Sequence, residues 1–460
     1  MRKPFEAQMT IEDHEFLEMG SFFPKDEQLE KMSVVLDENP QILEEVAGDL
    51  CAGLQQTGKH GMSVEQVLRS AIIYQIKAYS FRELEARLGD SFNFRKFTSF
   101  YARKIPHYTD FEKAFKKIRP ETFEIINDLL VAHAIKKKLE DGKKLRGDTA
   151  VVESNIHHPT DSTLLWDGVR VLDRLMAGAV KNCPSAIFEY HKRTKVSKKL
   201  CYKITMAKGK KAEKTRAKCY RELLRYSREV LAMAKACRAA LSGVCDFHEK
   251  DAAVFLGGEM DNYIPLMEKS IAQCERRVLQ GEKVPASEKI VSIFEPHTDV
   301  ICRGKTMSPA EFGHKVLITS GASCLITQYK VCEGNPGDNE LFQNLLEKHV
   351  EQFGKCTEAF AGDRRFYSSE NERLAADDPF NVELVSIPKP GYRSSKRRAF
   401  EDKAWFKKLQ RFRAGIEGGL STLIRCFGLD RCLWRGFASF KSWVGLSVFA
   451  YNLRKIAVLG

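Results

Sequence analysis

The chain has 460 residues, 43% hydrophobic and 29% charged, which fits a folded protein of about two to four domains and excludes a disordered one. No apolar run reaches the ~18 residues of a membrane span; the nearest, Phe437 to Gly460, is broken by Lys441, Asn452, Arg454 and Lys455. The net charge is +13, yet residues 1–60 hold five Lys/Arg against thirteen Asp/Glu, so the other four hundred residues carry +21 and suit a polyanionic partner such as nucleic acid. The first fifteen residues (MRKPFEAQMTIEDHE) lack the apolar core of a secretion signal. The thirteen cysteines form no CxxC pair, so the expectation is reduced thiols, mostly core filler, in a cytoplasmic protein.

In chain order, the acidic first sixty residues offer short apolar helices at Gln28–Leu36 and Gln41–Leu54. Ser63–Leu88 reads as helix, turn, helix: Ser63 with Gln66 and Ser80 with Glu83 form two capping boxes, and Gly89 can close the second helix. Such a pair with basic neighbours can be a DNA-binding helix-turn-helix, or an ordinary part of a bundle. Further helices are expected at Asp110–Lys117 and Pro120–Leu139. Leu145–Asn155 changes to strand character, with Asp148 near its start and Glu153 further on. Leu164 to about Val291 is helical again, with long charged helices at Ala212–Ser242 and Asp261–Leu279, as in a helical insertion. Its basic start, Lys192 to Lys218, can touch DNA or form a solvated face. Lys315–Thr319 and Cys324–Val331 suggest a hairpin. Pro336–Phe353 follows as a helix with Asp338 or Asn339 as its cap, then strands at Thr357–Ala361 and Val382–Ile387. The helix Trp405–Cys426 carries Glu417, and a last, buried helix covers Gly436–Val458.

From Asp148 onward, then, the order is strand, insertion, two strands, helix, strand, strand, helix. Acidic residues stand on the first strand (Asp148), at the end of the fourth (Asp363) and on the last long helix but one (Glu417). This is the layout of an RNase H-like α/β fold, a mixed sheet with flanking helices, in which the first and fourth strands are neighbours. Three converging carboxylates suit Mg²⁺ (or Mn²⁺), a hard cation held by a few carboxylates plus substrate phosphate. Two such ions stabilise the attacking and leaving oxygens of an in-line phosphoryl transfer. The small residues around Glu417 (Ala414, Gly415, Gly418, Gly419) point to a close approach by DNA or by the sheet, and Arg413, one turn before Glu417, is placed to bind phosphate or orient the carboxylate.

LRGDTAVVESNIHHPTDSTLLWDG, SIFEPHTDVICRGKTMSPAEFGHKV, AFAGDRRFYSSEN and FRAGIEGG resemble segments of bacterial insertion-sequence transposases with a DDE site, of the ISNCY type. MSVEQVLRSAIIYQIKAYSFRELEARLGDSFNFRKF is similar to their N-terminal helical domain. Arg413-x3-Glu417 matches the signature of a large neighbouring group, although Gln410 stands where that group has a tyrosine, and its later basic residue is shifted to Arg425. The resemblance implies catalytic, metal-binding Asp148, Asp363 and Glu417, binding of terminal inverted repeats and target DNA, divalent-metal-dependent cleavage and strand transfer, and a homodimer or larger synaptic assembly in the nucleoid.

Lys389 to Arg413 holds ten Lys/Arg against Glu401 and Asp402. Arg364, Lys396, Arg397, Arg398, Lys407, Lys408 and Arg413 are the expected DNA contacts, and the interleaved Tyr392, Phe400, Trp405, Phe406 and Phe412 can stack on unpaired bases or pack in the core. His157, His158, His297, His314 and Cys302 match no standard zinc spacing, and Glu153 and Asp299 are alternative carboxylates. The expected division is a helical, DNA-binding domain at 1–140, a catalytic domain at 141–165 and 291–460, and a helical insertion at 166–290. Two other readings are a metal-dependent nuclease that cuts without joining and a catalytically silent, transposon-derived DNA-binding protein.

Overall fold

A computed structural model describes residues 9–53, 61–209, 211–302 and 310–460. Parts of the first fifteen residues, of the Gln41–Leu54 helix, of the Lys192–Lys218 run and of the SIFEPHTDVICRGKTMSPAEFGHKV segment lie outside the described residues. Among the described residues eight α-helices come first: α1 Ile11–Glu18, α2 Glu27–Asp37, α3 Gln41–Cys51, α4 Val64–Ile76, α5 Phe81–Asp90, α6 Phe92–Phe97, α7 Tyr108–Phe115 and α8 Pro120–Lys136. Strand β1 (Lys144–Glu153) leads into α9 Asp161–Asn182, α10 Thr194–Met206, α11 Ala212–Ser242 and α12 Phe247–Cys274. Then come β2 Asp299–Ile301, β3 Glu311–Ser320, β4 Ile326–Val331, α13 Phe342–Phe353, β5 Ala359–Ala361, α14 Ser369–Ala376, β6 Leu384–Ser386, α15 Ser395–Glu401, α16 Ala404–Cys426 and α17 Phe437–Leu459.

The chain forms two compact units: Met1–Glu153 with His314–Gly460, and Ser154–Gly313. These units divide the chain differently from the 1–140, 166–290 and catalytic segments expected from sequence. The N-terminal helices do not close a core of their own. They share one with β1, β3, β4, α16 and α17, so Leu68, Ile72, Phe115 and Phe123 lie in the same apolar cluster as Val316, Leu423, Trp443 and Phe449. The expected last helix is there, and α17 is buried along most of its length. Its polar residues are satisfied inside. Asn452 donates to Asn127 Oδ1 (2.7 Å) and Ile326 O (2.8 Å) and accepts from Ile326 N (2.9 Å), joining α17 to α8 and β4. Buried polar groups cost little only when so paired.

Both predicted capping boxes form, Ser63 with Gln66 and Ser80 with Glu83. Gly89 does not close α5. It lies inside the helix, and Ser91 ends it, then caps α6 by accepting from Phe94 N. The first helix of the suspected helix-turn-helix, α4, is buried from Val64 through Gln75 except for half-buried Glu65, which commits it to the core.

In the larger unit the sheet runs β4-β3-β1-β5-β6. β3 and β4 form the predicted antiparallel hairpin, and β1, β5 and β6 are parallel neighbours. Side chains alternate along a strand, and β1 uses the alternation to separate its two tasks. Leu145 enters an apolar cluster with Phe342, Leu345 and Phe360 on the α13 side, and Gly147 sits there because an added Cβ would lie 3.2 Å from Leu345. Arg146 and Asp148 face the other way and meet α16. The second unit is helical, with Leu165, Leu172, Leu223, Val230, Met260 and Met267 at its centre. Cys183, Cys201, Cys219, Cys237 and Cys274 are buried in it, as expected of filler thiols. α12 begins at Phe247, well before the expected Asp261, and continues through Pro265. A short strand pair, β2 with Glu311–Gly313, completes the unit. No described helix is long and apolar enough to cross a membrane.

Candidate active site

β1 and β5 pair in parallel as Lys144↔Ala359, Leu145↔Phe360 and Arg146↔Ala361. Carrying that offset two residues on brings Asp148 level with Asp363. Asp363 leaves the strand as a turn cap whose Oδ1 accepts from Arg365 N at 2.7 Å. Asp148 lies in the middle of β1, not at its start, with its side chain only 18% exposed. Burial pushes its carboxyl above the usual aspartate range, and the charges of Asp363 and Asp338 push the same way. The Thr149 N–H and the Arg413 guanidinium act against them. Two aspartates in mutual repulsion form an oxygen-rich place that a cation would relieve.

Glu417 stands on α16 with its side chain 64% exposed. Arg413, one turn earlier, bonds Glu417 Oε1 at 3.1 Å and reaches Asp148 Oδ2 at 3.5 Å. The guanidinium thus stands between the helix carboxylate and the strand carboxylate. Among the described residues no three His, Cys, Asp or Glu side chains are gathered as a metal cluster. The structure brings Asp148 and Asp363 to one place and links Glu417 to it through Arg413.

Three residues hold this arrangement, and sequence reading gave none of them a role in it. Arg146 donates to Ser320 Oγ (2.7 Å) and Phe412 O (2.7 Å), contacts Cys324 Sγ (3.1 Å), and lies 4.6 Å over the Phe412 ring. A Cβ on Gly415 would fall on its Nη1. The close approach signalled by the glycines is therefore made by the sheet at Gly415 and by the Tyr451 hydroxyl at Gly419, where an added Cβ would lie 3.4 Å from it, while Gly418 faces open space. The spacing of Arg146 two residues from Asp148 was the available signal, since both share one strand face. Gln410 donates to Gly362 O (3.2 Å), Ser386 O (2.8 Å) and Ser386 Oγ (3.0 Å), fastening α16 across the ends of β5 and β6. Asp338, expected only as a helix cap, is 3% exposed. It accepts from buried Lys315 (2.8 Å) and from Thr149 (2.9 Å), the residue next to Asp148.

The basic run sorts itself by exposure. Arg364, Lys396, Arg398, Lys407 and Lys408 are exposed, Lys407 within 2.9 Å of Asp402. Arg397 is committed to the fold, bonding Glu401 (2.7 Å), Glu372 (2.6 Å) and Ile387 O (2.6 Å), its side chain 13% exposed. Phe400, Trp405 and Phe406 pack edge to face at 5.4–5.7 Å, and Phe412 lies under Arg146, so Tyr392 alone of these aromatics is fully at the surface, 83% exposed.

The histidines fall elsewhere. His314 is 2% exposed and packs against Phe437 and Phe440. In the second unit His157 is 3.5 Å from Asp167, His158 meets the Phe312 ring, and His297 is 2.8 Å from Glu295. Glu153 is exposed, with its backbone bonded to Asp430 and Cys432; Asp299 sits on β2 in the second unit.

Two family models match this chain: a transposase domain (DUF772) over residues 17–117, and a transposase DDE domain over residues 380–457. The first covers most of the N-terminal helices, and the second covers α15, α16 with Arg413 and Glu417, and most of α17. Together they define a DNA transposase, in general terms a metal-dependent DNA-cutting enzyme. More narrowly, the chain carries the domains of a DDE-type insertion-sequence transposase. Neither a curated protein nor a solved structure matches it.

Proposed function

We propose that this transposase cuts the ends of its element and joins them to target DNA at a site formed by Asp148, Asp363 and Glu417 on an RNase H-like sheet. The observation that carries the reading is the level placement of Asp148 and Asp363 on adjacent parallel strands, with Asp148 raised by burial and by the neighbouring charge. The strand order, with an antiparallel hairpin on one side of β1 and two parallel strands on the other, supports it.

The carboxylates fit hard divalent cations, Mg²⁺ or Mn²⁺. Two such ions would supply charge stabilisation at the attacking and leaving oxygens of phosphoryl transfer. Asp148 on β1 and Asp363 just past the end of β5 hold their oxygens fixed, which removes reorganisation cost. Arg413, poised between Asp148 and Glu417, supplies a rigid fork of donors for a phosphate oxygen. Gln410 and Arg146 fix α16, and so the height of Glu417 and Arg413 above the sheet. Exposed Arg364, Lys396, Arg398, Lys407 and Lys408 flank the site and neutralise phosphates along the DNA; Arg397 contributes by holding α15 in place. The N-terminal helices would add DNA contacts through faces other than α4, and the synaptic complex would pair two DNA ends on a dimer or larger assembly.

The test uses the purified full chain with a DNA fragment bearing its element's end and Mg²⁺. End-specific cleavage and joining by the parent, lost by at least about 10²–10³-fold in Asp148→Ala, Asp363→Ala and Glu417→Ala, is the expected result. Cleavage without joined products would point to the nuclease reading, and binding without cleavage in every sample to the silent one. Undiminished activity in any variant removes that residue from the site.

A further inference from the structure

The segment between β1 and β3 folds as its own compact unit, and the catalytic reading gives it no task. Its surface charge is strongly polarised. Residues 192–218 contain twelve Lys/Arg and one acidic residue, Glu213, whereas α12 carries five Asp/Glu against two lysines.

Helix periodicity turns the basic run into ordered stripes. α10 buries Ser197, Leu200, Cys201 and Ile204. One turn apart on its outer side stand Lys195, Lys199, Tyr202, Lys203 and Met206, all exposed, with Tyr202 63% and Met206 51% so. α11 buries Cys219, Leu223, Leu224 and Ser227 and exposes Lys214, Lys218, Arg221 and Arg225 at the same helical spacing. The two helices pack against each other, and Arg216 of α11 caps the end of α10 by donating to Ala207 O (2.9 Å). Several basic residues elsewhere in this unit have acidic partners: Arg193 with Glu229, Arg228 with Glu275, Lys235 with Glu268, Arg238 with Asp261, Arg276 with Glu282 and Glu288. Among the described residues the stripe lysines have no ion pair.

We propose that the α10–α11 face is a second DNA-binding surface, one that grips the phosphate backbone of duplex DNA without reading its sequence. Like-charged lysines at one-turn spacing repel each other and lower helix stability, so a face of them with acidic partners withheld suits a polyanion. Exposed lysines match phosphates as point charges, and the Tyr202 hydroxyl adds a donor of the kind that positions a protein on a duplex. The surface rests on the transposase reading for its partner but not on the carboxylates. It would hold a flank of the element end or the target while the site acts.

The experiment compares binding of the full-length parent to a duplex of arbitrary sequence, without divalent ions, over a series of salt concentrations. The variant carries Lys195→Gln, Lys199→Gln, Lys203→Gln, Lys214→Gln and Lys218→Gln, all at exposed positions. A control carries Lys250→Gln, Lys269→Gln and Lys283→Gln on the rest of the same unit. The salt slope of log affinity is expected to fall by about 0.9 for each lysine that meets a phosphate, and affinity near 0.1 M salt by on the order of tenfold or more. The control keeps the parent's slope. An unchanged slope in the five-lysine variant, or an equal loss in the control, overturns this surface while leaving the transposase site standing. Parent protein that cleaves element ends yet binds no arbitrary duplex overturns the surface alone, and a parent that neither cleaves nor binds overturns both.

Discussion

Asp148 shows what a single residue contributes to the proposed site and what it costs the fold. Its carboxyl is pushed above its ordinary 3.8, first by burial and then by Asp363. A native carboxyl with a raised pKa binds its proton more tightly than the unfolded chain does, so stability falls as pH rises from about 3.8 through the native value, and the ionised form is penalised at neutral pH. Asp363→Asn keeps the turn cap to Arg365 but removes one like charge. The variant is expected to be more stable than the parent at pH 7 without divalent ions, by roughly 0.5–2 kcal/mol, and inactive in cleavage. Denaturant unfolding at pH 7 and again near pH 3 checks this, since the gain should shrink where Asp148 is protonated. A variant no more stable than the parent at pH 7 would remove the repulsion between the two aspartates. Asp338 and Lys315 next door show the opposite design, a buried pair with each partner bonded, which offsets the desolvation of both charges.

At the scale of elements, α16 is set on the sheet by contacts that use its small residues unequally. Gly415 lies under Arg146, Gly419 meets Tyr451, and Gly418 meets nothing. Alanine is favoured over glycine in a helix by about 1 kcal/mol, so Gly418→Ala should raise stability by up to about that amount. Gly415→Ala should lower it by about 1–3 kcal/mol, because Arg146 must leave Ser320 and Phe412 to make room. Thermal unfolding of the two variants side by side tests the packing. Equal stabilisation by both would mean that Arg146 does not rest on the helix. The sequence showed that something approaches these glycines closely; which partner it is depends on a side chain 269 positions away, and no local pattern reports that.

For the whole molecule, the sequence pattern placed a helical insertion after the first strand, and the compact unit Ser154–Gly313 has an apolar core of its own. Excised, this segment should fold to a helical unit with a cooperative thermal transition seen by circular dichroism; a non-cooperative, weakly helical fragment would show that it depends on the remaining chain. The N-terminal helices behave differently. Their core is completed by α17 from the other end of the chain, so a 1–140 fragment leaves Leu68, Ile72 and Phe123 without the residues that cover them.

Local signals decided the elements: capping boxes at Ser63 and Ser80, the strand at Asp148, the β3–β4 hairpin, and the long helices α11, α16 and α17, all of which depend on neighbours within a few residues. They also supplied the order of Asp148, Asp363 and Glu417 and the basic stretches, since charge and period are properties of the chain. Tertiary structure alone decided which groups meet. It set Asp148 level with Asp363 through strand register, put Arg413 between Asp148 and Glu417, committed Arg397 and most of the aromatics to packing, and buried α4, which looked on its own like half of a DNA-binding pair. Those outcomes depend on contacts between residues tens to hundreds of positions apart, whose energies appear only when the chain has closed on itself.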